Sequence, residues 1–117
     1  RTAADVQKRL LQHNTGPSQI PGVLVFTLSD AACAGDDLDP AWDGLVVFIN
    51  ASPAAASYML AGASGWQLHP VFAQSGDATA QSATFNGSTF TVPGRTSVVF
   101  ALPQGASRGA APSCNEL

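Results

Sequence analysis

The chain has 117 residues, a formal charge of −3 and a charged fraction of only 11%, which describes one domain around one core, with no basic surface to grip phosphate. Nucleic acid and anionic membrane are therefore set aside as partners. No apolar run approaches the roughly 18 residues of a membrane-spanning helix, and no basic-then-apolar leader precedes the first element, so the expectation is that a secreted parent carries its signal upstream of Arg1.

The opening TAADVQKRL predicts one or two helical turns. Thr2 and Asp5 stand at capping-box spacing, and Ala3, Val6 and Leu10 fall on one helical face. A helix this short is marginal alone, so its apolar side calls for a neighbour outside this chain. HNTGP ends the element, with Gly16 supplying a positive φ and Pro17 blocking continuation, and Ile20-Pro21-Gly22 makes a second turn. VLVFTL (23–28) and GLVVFIN (44–50) then read as central strands covered on both faces. AASYMLA around Tyr58 and WQLHPVF (66–72) are further strand candidates separated by GASG, with Pro70 marking an edge or an end.

In QSATFNGSTFTV the pair Asn86-Gly87 predicts a two-residue type I′ hairpin that sets Phe85 opposite Ser88, Thr84 opposite Thr89 and Ala83 opposite Phe90. Alternation then places Ala83, Phe85, Phe90 and Val92 on one face. After VPGR, TSVVFAL gives a last strand with Val98, Phe100 and Leu102 turned inward. Turn signals at about ten-residue spacing predict an all-β fold, an antiparallel β-sandwich of about six to eight strands with a short N-terminal helical turn. The segment 104–117, rich in Gly, Ala, Pro and Ser, reads as a flexible tail.

Chemistry is sparse. Cys33 and Cys114 are too far apart for a local metal or redox motif and suit a single disulfide, the alternative being two free thiols; closing about 80 residues would stabilise by about 4–5 kcal/mol in the loop-entropy model. Asp30, Asp36, Asp37, Asp39 and Asp43 crowd the connection between the two apolar strands. Calcium at Asp36–Asp43 is one use of such oxygens, but the spacing lacks the bidentate acid of an EF-hand, and the reading adopted is a solvated acidic loop with no cofactor. His13 and His69 belong to no HExxH, no G-x-S-x-G elbow is present, and neither a G-x-G-x-x-G nor a Walker loop occurs. The single glutamate is Glu116, in the tail, so a glycosidase pair of carboxylates has nowhere to form and no catalytic residue is assigned. Trp42 and Trp66 are the candidates for stacking on sugar, with Tyr58 a third aromatic; the competing use of these rings is packing. Asn50 and Asn86 satisfy the glycosylation sequon and are assigned no role.

Four blocks taken in order, RTAADVQKRLLQHNTGPSQIPGVLVFTLSD, LDPAWDGLVVFINAS, WQLHPVFAQSGDA and FTVPGRTSVVFAL, resemble the C-terminal domain of pullulanases and limit dextrinases, the α-1,6-glucosidases of the α-amylase superfamily. HNTGPSQIPG is the most specific of them. The resemblance implies a β-sandwich following a catalytic (β/α)8 barrel that carries an aspartate nucleophile, a glutamate acid and a supporting aspartate. None of those residues maps onto this sequence. It also implies a division into a lead-in from the catalytic domain (1–16), a sandwich (17–103) and a tail (104–117). The implied partner is the barrel of the same parent, an extracellular or cell-envelope bacterial debranching enzyme for starch, glycogen or pullulan, with α-glucan as a further partner. The lead-in helix should then leave an exposed apolar patch near Val6 and Leu10. The alternative is an autonomous carbohydrate-binding module using Trp42 or Trp66.

Overall fold

Thr2 caps the first helix. In the computed structural model, which describes residues 1–107, 109 and 114, the Thr2 hydroxyl accepts a hydrogen bond from the Asp5 amide and helix α1 runs Ala3–Arg9. The expected helix ran on to Leu10. Instead Leu10 closes the helix with its amide on the Val6 carbonyl, and the chain passes without a turn into strand β1, Leu10–His13. The switch has no Gly or Pro to announce it; the strand exists because Leu10 to His13 pair along Leu28 to Val25.

Strands β2 (Val23–Ser29), β3 (Trp42–Asn50), β5 (Gln67–Leu68) and β8 (Thr96–Pro103) complete a five-stranded sheet in the order β1-β2-β3-β8-β5. Strands β4 (Ala56–Met59), β6 (Thr84–Asn86) and β7 (Thr89–Val92) form a second sheet in the order β4-β7-β6. Every pairing is antiparallel. Two short helices, α2 (Pro70–Ala73) and α3 (Ala78–Gln81), lie between β5 and β6. Pro70 ends the strand-like run by opening α2 behind the N-cap His69, whose ring accepts from the Val71 amide.

The core lies between the sheets. Val25, Val46, Phe48, Val98, Phe100 and Leu102 from the larger sheet meet Phe90 and Val92 from the smaller one, all with 2% exposure or less. Phe90 is its centre, with ring centroids 4.7 Å from Phe85 and 4.8 Å from Phe100.

Two expectations need correction. The hairpin keeps its assigned faces but not its register: Phe85 lies opposite Phe90, Asn86 opposite Thr89 and Thr84 opposite Thr91. The turn residues are Gly87 and Ser88, with φ of 54° and 70°, rather than Asn86-Gly87. Ser88 is drawn into the turn by tertiary contacts, since its hydroxyl donates to the Ala63 carbonyl and its own carbonyl accepts from the Leu60 amide. The second correction is that, among the described residues, β2 and β3 are each covered on one face, Leu45, Val47 and Ile49 of β3 being only half-buried. The residues of β2 alternate between buried and open, with Leu24 58% exposed and Leu28 37%. The expected tail 104–117 lies partly outside the described residues; within them, Gly109 bridges to Ala63 and Cys114 is bonded to Cys33, 81 positions earlier.

Asn50 joins the two sheets. Only 1% exposed, it donates its amide to the carbonyls of Ala54, Val92 and Pro93, while its own carbonyl accepts from the amide and hydroxyl of Ser52. A fully occupied, buried amide cannot accept a glycan. Asn50→Ala leaves those carbonyls without a donor and should cost about 2–4 kcal/mol; urea unfolding checks this, and a cost below about 1 kcal/mol would contradict the joint.

His13 seals the β1 edge of the core, its Nε2 hydrogen-bonded to the hydroxyl of buried Thr27 and its ring centroid 6.1 Å from that of Tyr58. Burial pushes its pKa below the ordinary 6.5. The unfolded chain therefore takes up a proton first, so stability is full above about pH 6.5, falls as pH drops through that value toward the lower folded pKa, and levels off beneath it. Unfolding midpoints from pH 8 to 5 should fall for the native chain and stay flatter for His13→Gln; equal slopes would refute the assignment.

Candidate functional site

Alternation along β2 and β3 produces a second apolar surface on the side of the large sheet away from the small one. Leu24 stands opposite Ile49, Phe26 opposite Val47 and Leu28 opposite Leu45. Val99 extends the surface across β8 beside Val47, and Leu10 extends it across β1 beside Leu28. These side chains are half-buried or exposed, whereas on β2, β3 and β8 their neighbours one residue along are buried. The surface thus has a strand-core composition but no cover within the described residues. Val6, 50% exposed, and half-buried Leu10 are the two residues of the expected lead-in patch. Leu10 belongs to the sheet face itself.

The surface is hollowed at both ends. Near α1, Leu28, Leu38, Trp42 and Leu45 line a cleft of about 230 Å³ with Arg9, Asp30 and Asp39 at its polar side. At the opposite end, Leu24 and Ile49 run on to a hollow of about 320 Å³ walled by Asn14, Ile20 and Val23. Asn14 shapes that end. Held at a φ of 51°, it donates to the carbonyls of Ile20 and Val23 and accepts from the Ile20 amide, closing the HNTGPSQIPG loop on itself.

Arg9 organises the α1 end. Its Nε donates to Asp5 at 3.0 Å, Nη1 donates to the Asp30 carboxylate at 2.7 Å and to the Ser29 carbonyl at 3.3 Å, and Nη2 donates to the Asp36 carbonyl at 2.9 Å. Asp30 also accepts from the amides of Leu38 and Asp39. Burial alone would raise the pKa of Asp30; the two amides and the guanidinium outweigh it and hold the carboxyl below the usual carboxylate range. The hydrogen bond from Arg9 chiefly does the same for Asp5. Of the acidic loop read as solvated, Asp30 is therefore neutralised by Arg9 of α1, while Asp36, Asp37 and Asp39 are exposed. Among the described residues no group of three or more His, Cys, Asp or Glu is placed to hold a metal ion.

The two tryptophans separate. Trp66 is 9% exposed and packs edge-on against Phe90 with centroids 6.1 Å apart, so it is a core residue and cannot serve as a sugar platform. Gly44 makes room for it: a Cβ there would lie 3.1 Å from the indole Cη2. Trp42 stays half-buried at the cleft, its ring centroid 5.1 Å from His69. The two histidines stand in unrelated places, His13 at the β1 edge and His69 at the α2 cap, and neither is joined by a serine or carboxylate in a catalytic arrangement among the described hydrogen bonds. Arg9 and the outer face were not singled out from sequence. Arg9 looks like an ordinary cation in the last turn of a helix; its partner Asp30 is 21 residues away, and no local spacing links them.

Residues 1–103 match the family model described as "Alpha-1,6-glucosidases, pullulanase-type, C-terminal". The chain is 36% identical over 106 residues to the chloroplastic pullulanase 1 of Arabidopsis thaliana and 37% identical over 108 residues to the pullulanase of Klebsiella pneumoniae. Those alignments take in 85% and 90% of this chain but only 11% and 10% of the relatives. The crystal structure of the K. pneumoniae pullulanase complexed with maltotriose superposes with a TM-score of 0.82 at 35% identity, over 97% of this chain and 11% of that one. A mutant pullulanase of Paenibacillus barengoltzii complexed with maltotetraose superposes with a TM-score of 0.61 at 25% identity, over 89% of this chain and 14% of that one. The described sandwich and the matched span coincide almost residue for residue, and the chain belongs to the family of C-terminal domains of pullulanase-type α-1,6-glucosidases.

Proposed function

We propose that this chain is the non-catalytic C-terminal domain of a debranching enzyme for starch, glycogen or pullulan, and that it packs on and stabilises the catalytic (β/α)8 barrel of its parent. Hydrolysis of the α-1,6 bond then belongs to carboxylates elsewhere in that parent. The observation that carries the reading is the apolar outer face of the large sheet, built by Leu24, Phe26, Leu28, Leu45, Val47 and Ile49. A surface of that composition, extended by Leu10 and Val99 to span four strands and hollowed at both ends, is what a domain interface requires. The chain spans about a tenth of the length of the pullulanases it matches, which supports a large remainder able to cover that face. The disulfide supports an oxidising location, in the extracellular space or cell envelope.

Charging the face tests this in the parent enzyme. Leu24→Asp with Leu28→Asp should leave the isolated domain folded, because both side chains already point to water, yet shorten the thermal half-life of the full-length hydrolase severalfold. An unchanged half-life would refute the interface.

A carbohydrate-binding module is the competing reading, resting on Trp42. The cleft argues against it, since the polar groups of Arg9 and Asp30 are already paired and leave few partners for sugar hydroxyls. Affinity electrophoresis of the isolated chain through pullulan or glycogen should show native mobility, identical in Trp42→Ala. Retardation that disappears in Trp42→Ala would establish the module instead.

A further inference from the structure

The connection between β2 and β3 is held from three directions at once. Arg9 enters from α1 and donates to Ser29, Asp30 and Asp36. The turn after β8 enters from the other side: the Gln104 amide donates to the Ala41 carbonyl, its side chain to Asp37, and the Gly105 amide to Asp43. Between them, Cys33 sits in a 3-10 turn, Ala32–Ala34, bonded to Cys114. That turn lies between the two sets of atoms that grip Arg9, with Ser29 and Asp30 before it and Asp36 after it. A Cβ built at Gly35 would lie 3.8 Å from Nη2 of Arg9, in ordinary contact with the guanidinium.

We propose that the Cys33–Cys114 bridge is a redox-operated lock on the seat of Arg9, so that reducing it loosens α1 while the sandwich stays folded. The coupling follows from the geometry. With the bridge closed, the stretch from Asp30 to Asp36 has its ends on the guanidinium and its middle tied to the C-terminal segment, so the Asp36 carbonyl is positioned before Arg9 arrives. With the bridge open, that stretch keeps the guanidinium contacts and its own backbone hydrogen bonds but loses its tie to Cys114, and the seat opens more often.

The chemistry is a thiol–disulfide exchange with a small dithiol. Cys33 is exposed, and Cys114 is half-buried with its sulfur 3.3 Å from the Ser29 hydroxyl. That hydroxyl accepts from the Ala31 amide, so its own proton is free to point at the Cys114 sulfur. A thiolate of the dithiol attacks the Cys33 sulfur, the Cys33–Cys114 bond breaks, and Cys114 leaves as a thiolate received by the Ser29 O–H. The second thiol of the reagent then closes on its own sulfur in the mixed disulfide and releases Cys33. The protein gains two electrons and two protons, the protons replacing those lost by the reagent, and the dithiol ends as a cyclic disulfide.

Trypsin reads the lock directly, because cleavage after Arg9 requires that its side chain leave its seat, whereas exposed Arg95 needs no such opening. In a Trp42→Phe background, which leaves Trp66 as the only indole, treatment with dithiothreitol should speed cleavage after Arg9 on the order of tenfold relative to cleavage after Arg95, with Trp66 fluorescence unchanged. The double variant Cys33→Ser with Cys114→Ser should match the reduced protein with no reductant present. The proposal is overturned if cleavage after Arg9 does not change or rises only in step with that after Arg95. It is equally overturned if Trp66 fluorescence reports loss of the core on reduction, since the bridge would then hold the whole fold.

Discussion

A β-sheet has two faces, and the described residues cover only one face of the large sheet. Strands β2 and β3 carry apolar side chains at nearly every position, while the small sheet, with Phe90 at its centre, buries only the alternate residues Val25, Val46 and Phe48. The other set, Leu24 to Leu28 and Leu45 to Ile49, faces outward. Leaving such a face in water forfeits about 25 cal/mol for each Å² of apolar area that could be buried. The same alternation that fills the core therefore leaves an apolar face without cover among the described residues, and the proposed packing on a parent barrel answers that imbalance.

Charge is used sparingly, and its main cluster sits beside that face. Arg9 is 7% exposed and meets Asp5, Asp30 and two backbone carbonyls, so a cation that would be costly to bury alone is matched on every donor nitrogen. The result fixes the direction in which α1 leaves the sheet. Leu10, the next residue, starts β1 on the apolar face, so the helix and the uncovered surface share one end of the domain. A cleft with Trp42 and Leu38 in its wall adjoins the clamp. Arg9 and Asp30 in its wall are already paired, and the apolar side chains around them suit it to receive an apolar group.

Period-two patterning made most of this fold legible. The inward triad Val98, Phe100 and Leu102 and the shared face of Phe85 and Phe90 could be read directly, because alternation depends only on the local chain. What escaped depended on distant partners. The hairpin slipped because Ser88 answers to Ala63 and Leu60, a contact that no Asn-Gly preference encodes. Strand β1 hid behind a helical pattern because pairing with β2, not propensity, decides the state of Leu10 to His13. A run such as VLVFTL is the same string whether its second cover comes from within the chain or from outside it. Trp66 and Trp42 were equivalent as letters and differ because Gly44 opens a core site for one of them. The resemblance carried by HNTGPSQIPG supplied the parentage, and Asn14 gives that motif its physical reason by tying the loop closed.

The account stands most directly on whether the outer face of the large sheet is covered in the whole protein. Hydroxyl-radical footprinting of Leu24, Phe26 and Leu28, read by mass spectrometry in the isolated chain and in the full-length parent, measures that cover. Strong labelling in the isolated chain and protection in the parent is the expected result. Equal labelling in both would contradict the claim that this domain exists to be packed against.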